Sequence, residues 1–332
     1  MTKVLVTGAD GFIGSHLSEL LVREGHDVRA FVLYNSEGRR GWIDRIDPDC
    51  RDELDIHIGD IRDPQSAAAA VRGADIVYHL AALIGIPYSY QAADSYVDTN
   101  IRGTLNLLQA ARDEDIQRFM QTSTSEVYGT AQTVPISEDH PLNAQSPYAA
   151  TKVASDQLAL SFHRSFELPV TVVRPFNTFG PRQSARAVIP TIISQIASGA
   201  KSLKLGSLHP TRDFNYVEDT ARGMVAAASA RNTVGETVNL ATGYEISIGD
   251  LAAMIADIMG VEIEITADDA RIRPKASEVE RLLGNPSRMT ELTGWRALCA
   301  GPDGLRDGLS RTIDWLSRPE NLAAYRPDEY QV

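Results

Sequence analysis

The sequence of 332 residues predicts an α/β fold, with a doubly wound parallel sheet followed by a smaller mixed α/β lobe. Three observations lead to this prediction. Short β-branched runs alternate with helix-length segments, a glycine-rich turn joins the first such pair, and the alternation loosens after about residue 180. We therefore expect one domain over residues 1–180 and a second over residues 181–332, with a soft boundary across which segments of chain can return.

Hydrophobic spacing supports the elements of the first domain in order. The predicted strands are KVLVT, DVRAFV, LDIHIGD, DIVYHLAA, RFMQTSTSEVYG and VTVVRPFN. Helical spacing follows in SHLSELLVREG, in AAAAVRG and from Tyr96 to Arg112. It returns from Pro147 to Phe166, where the proline suits the first turn of a helix. Strands joined in this way by helices form a parallel sheet with helices on both faces.

Composition excludes several classes of function. The net charge of −12 opposes a nucleic-acid partner, because such partners require a basic surface. Cys50 and Cys299 have no partner at ligand spacing, so we predict neither a disulfide framework nor a metal site. No stretch offers the roughly 20 apolar residues of a membrane span, and the first residues do not resemble a signal peptide. We expect a soluble, cytoplasmic protein.

The turn TGADGFIG predicts a dinucleotide site. Gly8, Gly11 and Gly14 stand between a strand and a helix, where bare backbone can approach a pyrophosphate and the helix N-terminus supplies unpaired N–H groups. An ordinary tight turn is the alternative, but a Rossmann-type strand–turn–helix unit favours NAD or NADP. The second strand of such units usually ends in an acidic residue that binds the adenine ribose, and here Val32 stands at the expected position.

The choice between NAD and NADP is therefore open from the residues alone. Asp60, in the segment GDI, is a candidate contact for the adenine. Arg39 and Arg40 are candidates for a 2′-phosphate contact, although we interpret both as residues of a solvated loop. NAD is the expected cofactor, with NADP as the alternative.

A second candidate site combines a phenol with an ammonium group. Tyr148 and Lys152, in SPYAATK, are four residues apart and so share one face of a helix. The cation is expected to lower the pKa of the tyrosine, which would make the phenol a base for a substrate hydroxyl. Ser123 and Thr124 supply hydroxyls at the end of the preceding strand, which makes a chance surface pair a poor explanation.

Other side chains are candidates for roles around that pair. Glu126, in TSTSEVYG, is either a base for a proton made acidic by a neighbouring ketone or a capping or surface glutamate. Three arginines are candidate diphosphate contacts, although each is as readily a structural ion pair: Arg182, Arg212 and Arg273. We expect His79, in VYHLAAL, to be a packed or hydrogen-bonded wall residue rather than a ligand or base.

Six segments in order resemble the extended short-chain dehydrogenases/reductases that act on nucleotide sugars, the NAD-dependent epimerase/dehydratase family. They are TGADGFIG, HLAA, TSTSEVYG, SPYAATK, RPFNTFGP and HPTRDFNYVED, and together they span nearly the whole chain. The resemblance implies a dinucleotide in the Rossmann domain, a nucleotide diphosphate sugar mainly in the C-terminal lobe, and a homodimer. It implies dinucleotide contacts from Gly8, Gly11, Phe12, Ile13, Gly14, Asp60, Ile61, Leu80, Ala81, Ala82, Asn100, Thr122, Tyr148 and Lys152.

Within that family the sequence is most similar to the 4,6-dehydratases of legionaminic-acid pathways, which use UDP- or GDP-linked N-acetylglucosamine. The stretch RPKASEVERLLGNPSRM also resembles the RPTEV segment of GDP-mannose 4,6-dehydratases. The resemblance implies that Tyr148, assisted by Lys152 and Thr124, takes the C4 hydroxyl proton, and that Glu126 takes the C5 proton before water leaves C6. Substrate contacts are implied for Asn177, Val188, Arg212, Arg273 and Glu278.

One departure leaves alternatives open. Many glucose-type 4,6-dehydratases carry Asp-Glu where this chain has Ser125-Glu126, so the acid for the leaving hydroxyl is either Glu126 or a water held by Ser125. The same Ser-Glu pair occurs in UDP-glucuronate decarboxylases, which are the main alternative function. A 4-epimerase would leave Glu126 without a task, and a non-catalytic dinucleotide sensor would not need the pair of Tyr148 and Lys152.

Overall fold

A computed structural model describes residues 1–267, 274 and 277–325. Its strands are β1 (Lys3–Thr7), β2 (Asp27–Leu33), β3 (Asp55–Gly59), β4 (Ile76–His79), β5 (Arg118–Thr122), β6 (Val170–Pro175), β7 (Asn177–Phe179), β8 (Ser202–Leu205), β9 (Thr211–Tyr216), β10 (Thr237–Leu240), β11 (Glu245–Ser247), β12 (Glu264–Ala267) and β13 (Arg281–Leu282). Its helices are α1 (Phe12–Arg23), α2 (Pro48–Asp52), α3 (Pro64–Val71), α4 (Ile86–Ser89), α5 (Ala93–Tyr96), α6 (Gly103–Asp113), α7 (Pro147–Phe166), α8 (Val188–Ala197), α9 (Val217–Ser229), α10 (Ile248–Ile258), α11 (Ser287–Thr293), α12 (Gly301–Leu316) and α13 (Pro319–Leu322). The described turns include 3₁₀ turns at Gly41–Arg45, Ser125–Tyr128 and Arg231–Thr233 and a π-helical turn at Val97–Arg102.

A parallel sheet of seven strands forms the larger part of the fold. Its strand order is β10-β6-β5-β4-β1-β2-β3, and every neighbouring pair is parallel. The order reverses between β1 and β4, where Thr7 pairs with His79. The crevice beyond the carboxyl ends of these two strands is therefore the expected ligand position of a doubly wound sheet. The predicted Rossmann-type α/β fold is confirmed.

Helices cover both faces of this sheet. On one face, Leu17 and Leu21 of α1 and Met224 of α9 are buried against the strands. On the other face, Leu107 of α6 and Ala159 of α7 are buried with residues of α3. Each fully buried aliphatic side chain of this size contributes about 1.5–3 kcal/mol to folding, so the two layers hold the strand ends in place.

The smaller lobe is mixed α/β, as predicted. Strand β9 pairs antiparallel with β11 and parallel with both β13 and β7, while β12 pairs with β8 in a separate two-stranded sheet. Its core contains apolar side chains of α8, α10 and α12, including Ile192, Leu251 and Leu309. Between β9 and β11 the chain returns to the large sheet, where β10 pairs with β6.

Two elements differ from the sequence prediction near the crevice. The strand predicted for RFMQTSTSEVYG ends at Thr122, and a 3₁₀ turn begins because the Thr124 hydroxyl accepts a hydrogen bond from the Glu126 amide. The helix predicted from Tyr96 contains a π-helical turn before α6 begins at Gly103. Both irregularities place polar side chains near the strand ends. π-Helical turns in particular are frequent at functional sites. Within the described residues, no helix is long and apolar enough to cross a membrane.

Candidate active site

The glycine-rich turn after β1 lies directly against the segment after β4. Gly8 has a φ of +69°, and a side-chain carbon there would lie 2.8 Å from the Ala81 nitrogen. A side chain at Gly14 would lie 2.1 Å from the Gly8 carbonyl oxygen, so α1 can approach the strand only with glycine at this position. Among the described residues, no side chain caps the start of α1. The N–H groups of its first turn are therefore open to an anion.

The end of β2 carries apolar side chains. Val32, at the position expected for the acid, is fully buried in the sheet core. Leu33 ends β2 and is 56% exposed, so neither of the last two residues of this strand is acidic. Asp60 forms an ion pair with Arg62, 2.6 Å between the Arg62 Nη2 and Asp60 Oδ2 atoms, which holds the pKa of the carboxyl below its ordinary value.

The loop after β2 contains the two arginines considered for a 2′-phosphate. Arg39 pairs with Glu37 and Arg40 pairs with Asp44, each at 2.7 Å between nitrogen and oxygen. The Asn35 side chain accepts hydrogen bonds from the amides of Glu37 and Arg39 and closes the loop on itself. The geometry favours the interpretation of a solvated loop over a phosphate site.

The other residues predicted to contact a dinucleotide also lie at strand ends, but two of them are used by the fold. The Ile61 side chain is buried against Gly103 of α6, so only its backbone is left for a ligand. The Asn100 amide donates to Leu83 O and Thr151 Oγ1, and its oxygen accepts from Leu83 N. The remaining residues of this group follow β1 and β4 or end β5: Phe12, Ile13, Leu80, Ala82 and Thr122.

Helix α7 presents Tyr148 and Lys152 to the crevice. It begins where the Ser146 hydroxyl accepts a hydrogen bond from Ala149 N at 3.1 Å, with Pro147 in its first turn. The Lys152 ammonium donates to Thr122 O at 2.6 Å, which fixes the side chain beneath the end of β5. Burial lowers the pKa of Lys152 to about 8, and nearby Asp156 opposes that change.

The pKa of Tyr148 moves opposite to the sequence prediction. Burial raises the pKa of the phenol above its ordinary value, a side-chain hydrogen bond with Thr124 opposes this change, and the negative charge of Glu126 adds to it. The lowering expected from Lys152 is not found, because burial is the largest influence on the pKa of this phenol. Glu126 adjoins the same group, because Thr124 Oγ1 also accepts a hydrogen bond from Glu126 N at 3.2 Å. The structure thus brings Thr124, Glu126, Tyr148 and Lys152 together.

A buried ion pair behind α7 was not found by sequence reasoning. Arg174 of β6 donates to Asp156 Oδ2 at 3.1 and 3.2 Å, and its guanidinium lies over the Tyr128 ring at 4.9 Å. Ser123 donates to the same Asp156 oxygen at 2.7 Å, so its hydroxyl faces away from the crevice. The pair ties α7 to the turn that carries Glu126. Its only sequence signal is spacing, because Asp156 follows Lys152 by four residues on the same helical face.

Two residues predicted to bind substrate meet in the smaller lobe. Arg212 Nη2 lies 3.3 Å from Glu278 Oε1, and both side chains are largely buried. Gln145, just before α7, joins this pair to that helix, because it donates to Glu278 O at 3.3 Å and accepts at its own carbonyl from Ser277 Oγ at 2.8 Å. Tyr90 hydrogen-bonds the same Ser277 hydroxyl from the opposite side of the crevice. Sequence reasoning missed Gln145, Ser277 and Tyr90.

Other predicted substrate residues occupy varied positions. Asn177 begins β7, and its Oδ1 atom is buried with no hydrogen-bond partner among the described residues, as expected of a group awaiting a ligand. Val188 begins α8 and is partly buried against the core of the lobe. Arg273 lies outside the described residues. Within the described part of the chain, no cluster of histidine, cysteine or carboxylate side chains has the geometry to hold a metal ion.

Arg182 is a structural residue rather than a diphosphate contact. Its guanidinium pairs with Glu19 of α1 at 2.6 Å and lies 3.3 Å from Ser15 Oγ, with the side chain 11% exposed. His16, on the same helix, hydrogen-bonds Pro181 O at 3.0 Å, and burial lowers its pKa to about 4. These contacts fasten the loop after β7 to α1. The Arg182 guanidinium is therefore used to connect α1 with the loop after β7.

Comparison with known proteins places this geometry in a family. The family model of GDP-mannose 4,6 dehydratase matches residues 5–307. Low-salt glycan biosynthesis protein Agl12 of Haloferax volcanii is 33% identical over 91% of this chain and 96% of its own length.

Two solved structures share the same architecture over nearly their whole length. A dTDP-glucose 4,6-dehydratase of Streptomyces venezuelae, solved with NAD bound, has a TM-score of 0.86 at 29% identity, over 98% of this chain and 99% of its own. A UDP-N-acetylglucosamine 4-epimerase of Methanobrevibacter ruminantium, solved with UDP-N-acetylmuramic acid, has a TM-score of 0.85 at 29% identity, over 95% and 98% of the two chains. The chain therefore belongs to the GDP-mannose 4,6 dehydratase family, among the NAD-dependent epimerases and dehydratases that its motifs resemble.

Proposed function

We propose that this chain is a nucleotide-sugar 4,6-dehydratase that converts a nucleoside-diphosphate N-acetylglucosamine-type hexose to its 4-keto-6-deoxy product. One observation carries the proposal. The Thr124 hydroxyl accepts a hydrogen bond from Glu126 N and also hydrogen-bonds the Tyr148 phenol, so a second candidate base is joined to the first through one side chain. Oxidation at C4 needs only the phenol, whereas removal of the C5 proton needs the additional carboxylate.

NAD fits the crevice of this chain. The bare turn at Gly8 and Gly14 leaves room for a pyrophosphate, and the uncapped start of α1 offers it N–H groups. Solved relatives contain NAD, as in the dTDP-glucose 4,6-dehydratase of Streptomyces venezuelae. When bound, the dinucleotide would supply reversible oxidation at C4 and reduction at C6 of the sugar, so no net oxidation results.

Tyr148 is proposed to receive the proton of the C4 hydroxyl. A neutral phenol cannot act as a base, and burial raises the pKa of Tyr148. Positive charge must therefore assist it, and Lys152, one helical turn along α7 and held at Thr122 O, is the proposed cation. Thr124, hydrogen-bonded to the phenol, orients it.

Glu126 is proposed to serve both steps of the elimination. The ketone at C4 makes the C5 proton acidic, the carboxylate removes it, and the same group passes that proton to the C6 hydroxyl, which leaves as water. Reduction at C6 would then be completed by a proton from solvent at C5, which balances the C4 hydroxyl proton that Tyr148 receives and releases. The alternative acid was a water held by Ser125. The Ser125 side chain is only 3% exposed, which favours Glu126 for the second step as well.

Arg212 is the proposed diphosphate contact, with Glu278 as the group that holds it in place beforehand. The fork of a guanidinium matches phosphate oxygens, and the pair at 3.3 Å keeps that fork buried until an anion arrives. Incubation with different sugar nucleotides would identify the nucleotide base and the N-acyl group of the sugar.

Two alternatives have observations in their favour. A 4-epimerase is favoured by solved relatives that epimerise UDP-sugars, and a UDP-glucuronate decarboxylase by the Ser125-Glu126 pair. The dehydratase and the two alternatives are separated by incubation with UDP- or GDP-N-acetylglucosamine and, in a parallel sample, with UDP-glucuronate, each followed by mass spectrometry. Loss of one water without added oxidant is the expected result. Loss of carbon dioxide from UDP-glucuronate, or an unchanged mass with a new configuration, would overturn the dehydratase proposal.

The decisive variant is Glu126→Gln. We expect it to oxidise the sugar at C4, detected as absorbance of the reduced dinucleotide, while eliminating no water. Glu218→Gln, which alters an exposed glutamate paired with Arg311, is the matched control and should eliminate water normally. Full dehydration by Glu126→Gln would remove the reason for choosing this subclass.

A homodimer and a cytoplasmic location complete the proposal. The homodimer rests on the family resemblance and on Leu105 of α6 and Leu158 of α7, which remain only partly buried in the single chain. Light scattering after size-exclusion chromatography should give twice the mass of 36.2 kDa for one chain. A monomer at micromolar concentration would contradict it.

A further inference from the structure

His79 lies at the centre of a buried hydrogen-bonded chain that the proposed reaction does not use. It is the last residue of β4 and is 2% exposed. Its Nδ1 atom lies 2.8 Å from Thr7 Oγ1, and its Nε2 atom lies 2.9 Å from Thr104 Oγ1. One partner is at the end of β1 and the other is in α6, so the ring joins the sheet to the helix layer.

The partners of the two threonines determine which ring nitrogen carries the proton. Thr104 donates its single hydroxyl proton to Asn100 O at 2.5 Å, so it can only accept from His79, and Nε2 must carry a hydrogen. Nδ1 is then the acceptor and receives the Thr7 hydroxyl proton. Thr7 in turn accepts from Ala81 N at 3.2 Å, so each group in the chain has a compatible partner.

The chain extends from the phosphate-binding turn to the catalytic helix. Thr7 directly precedes Gly8, whose backbone faces Ala81. At the other end, the Asn100 amide donates to Thr151 Oγ1 at 3.0 Å, and Thr151 donates to Tyr148 O at 2.7 Å. We name this series of side chains the floor network: Thr7, His79, Thr104, Asn100 and Thr151.

A second proton on His79 would disrupt this order. It would face the Thr7 hydroxyl, whose proton would lose its acceptor in a buried site, at a substantial desolvation penalty. Burial lowers the pKa of His79 to about 3, and the nearby Lys152 cation adds to that change. The hydrogen-bond pattern and the lowered pKa therefore both favour a neutral ring.

We propose that His79 is a positioning residue, which as the neutral Nε2–H tautomer fixes the spacing between the dinucleotide turn and the helix that carries Tyr148. It is buried behind the strand ends, and it acts through Thr7 on Gly8 and through Thr104, Asn100 and Thr151 on Tyr148. The kinetic part of this inference rests on the proposed function. The tautomer and the binding of NAD do not depend on the identity of the sugar.

The first test is nitrogen NMR of the full chain with ¹⁵N-labelled histidine, loaded with NAD. Loss of one resonance set in His79→Gln assigns the signal. We expect a neutral ring, protonated on Nε2, that does not titrate between pH 8 and pH 5. A hydrogen on Nδ1, or titration near the ordinary histidine pKa of about 6.5, would overturn the inference.

The second test removes the acceptor of the Nε2 hydrogen while retaining shape. Thr104→Val should lower kcat by up to about 100-fold, as small misplacements of reacting groups do, with KM nearly unchanged. It should also raise the NAD dissociation constant about tenfold, whereas Thr104→Ser should restore both values. The control is Thr171→Val, at a buried threonine that donates to Thr233 O at the far end of β6 and should change stability only.

The outcomes separate this inference from the proposed function. If the wild-type chain removes no water from any sugar nucleotide, the proposed function fails, and the tautomer and NAD affinity still decide the role of His79. If Thr104→Val binds NAD like the wild type, or Thr104→Ser is as impaired as the valine variant, His79 has no positioning role. The NMR result also covers the case in which Thr104→Val does not fold.

Discussion

The floor network and the substrate lobe hold their polar groups in opposite ways. In the floor network, hydroxyl, imidazole and amide protons are donated to other protein atoms, and His79, Asn100 and Thr104 are at most 2% exposed. In the lobe, Arg212 and Glu278, which are 66 positions apart in the chain, form an ion pair. The floor network thus consists of neutral side chains that are hydrogen-bonded to other protein atoms. The lobe instead contains charged side chains that a ligand can bind.

The difference predicts how each region affects the reaction. A bonded floor network keeps the reacting groups in place before the sugar arrives, so damage to it should lower kcat. An ion pair such as Arg212 with Glu278 can exchange its carboxylate for a phosphate, because both are anions that match the guanidinium fork. Damage in the lobe should therefore appear mainly in KM.

The largest effect is expected for Tyr148→Phe. The ring keeps its edge contact with Tyr96, at 6.3 Å between centroids, while the hydroxyl proposed to receive the C4 proton is lost. Acid–base groups of this kind contribute about 100-fold to 10,000-fold in rate, so kcat should fall by that factor with KM unchanged. Steady-state kinetics checks this.

Tyr96→Phe is the matched control for that variant. It removes a hydroxyl that donates to Gly85 O while leaving the phenol of Tyr148 intact, and it should retain most of kcat. If Tyr148→Phe raised KM instead of lowering kcat, the assignment of Tyr148 to the chemical step and of the lobe to substrate binding would be wrong.

Asp156→Asn should produce the next largest effect, on stability. Removing the carboxylate leaves Arg174 buried without its charge partner, which typically costs about 3–5 kcal/mol. Urea unfolding measures this, and Ser123→Ala, which removes one hydrogen bond to the same carboxylate, should cost only about 1 kcal/mol. Equal losses in the two variants would show that the ion pair is not what stabilises this side of α7.

The same variant should change the pH dependence of the reaction. Asp156 raises the pKa of Lys152 against the effect of burial, and the resulting value is about 8. Without the carboxylate this pKa falls, so Lys152 loses its proton at lower pH, and the alkaline limb of kcat/KM should move in the same direction. An alkaline limb that stays in place would show that the charge of Lys152 does not control Tyr148.

Arg212→Gln tests the lobe. Charge-assisted hydrogen bonds contribute about 1.5–3 kcal/mol, so KM for the nucleotide sugar should rise about 10-fold to 100-fold with little change in kcat. Arg281→Gln is the control, because Arg281 lies on the neighbouring strand β13 and pairs with Glu245 at the surface. A fall in kcat of Arg212→Gln as large as its rise in KM would contradict the expectation that damage in the lobe acts mainly on substrate binding.

Local signals in the sequence were sufficient for the fold and for part of the site. Helix α7 begins at Pro147 and ends at Phe166 as predicted, because a capping serine and a proline mark its start. The spacing of Tyr148 and Lys152 follows from that helix, and the turn at Gly8 follows from β1 and α1. These features depend on neighbours along the chain, which the sequence displays directly.

The remainder depended on contacts that the sequence does not display. The full burial of Val32 and the exposure of Leu33 depend on where β2 leaves the sheet, a tertiary property. The raised pKa of Tyr148 arises mainly from burial, which the spacing of Tyr148 and Lys152 along the helix does not reveal. The meeting of Gln145 with Glu278 likewise joins residues 133 positions apart.

The smallest effect is expected at the adenine end of the crevice, which belongs to neither region. Arg39 is 78% exposed and paired with Glu37, and such surface pairs contribute about 1 kcal/mol or less. Arg39→Ala should therefore change the dissociation constants of NAD and NADP by less than about fivefold each, as measured by calorimetry. A selective loss of NADP binding would show that this loop reads the 2′-phosphate. The loop that carries Arg39 would then be a third functional region, which recognises its ligand through exposed charge.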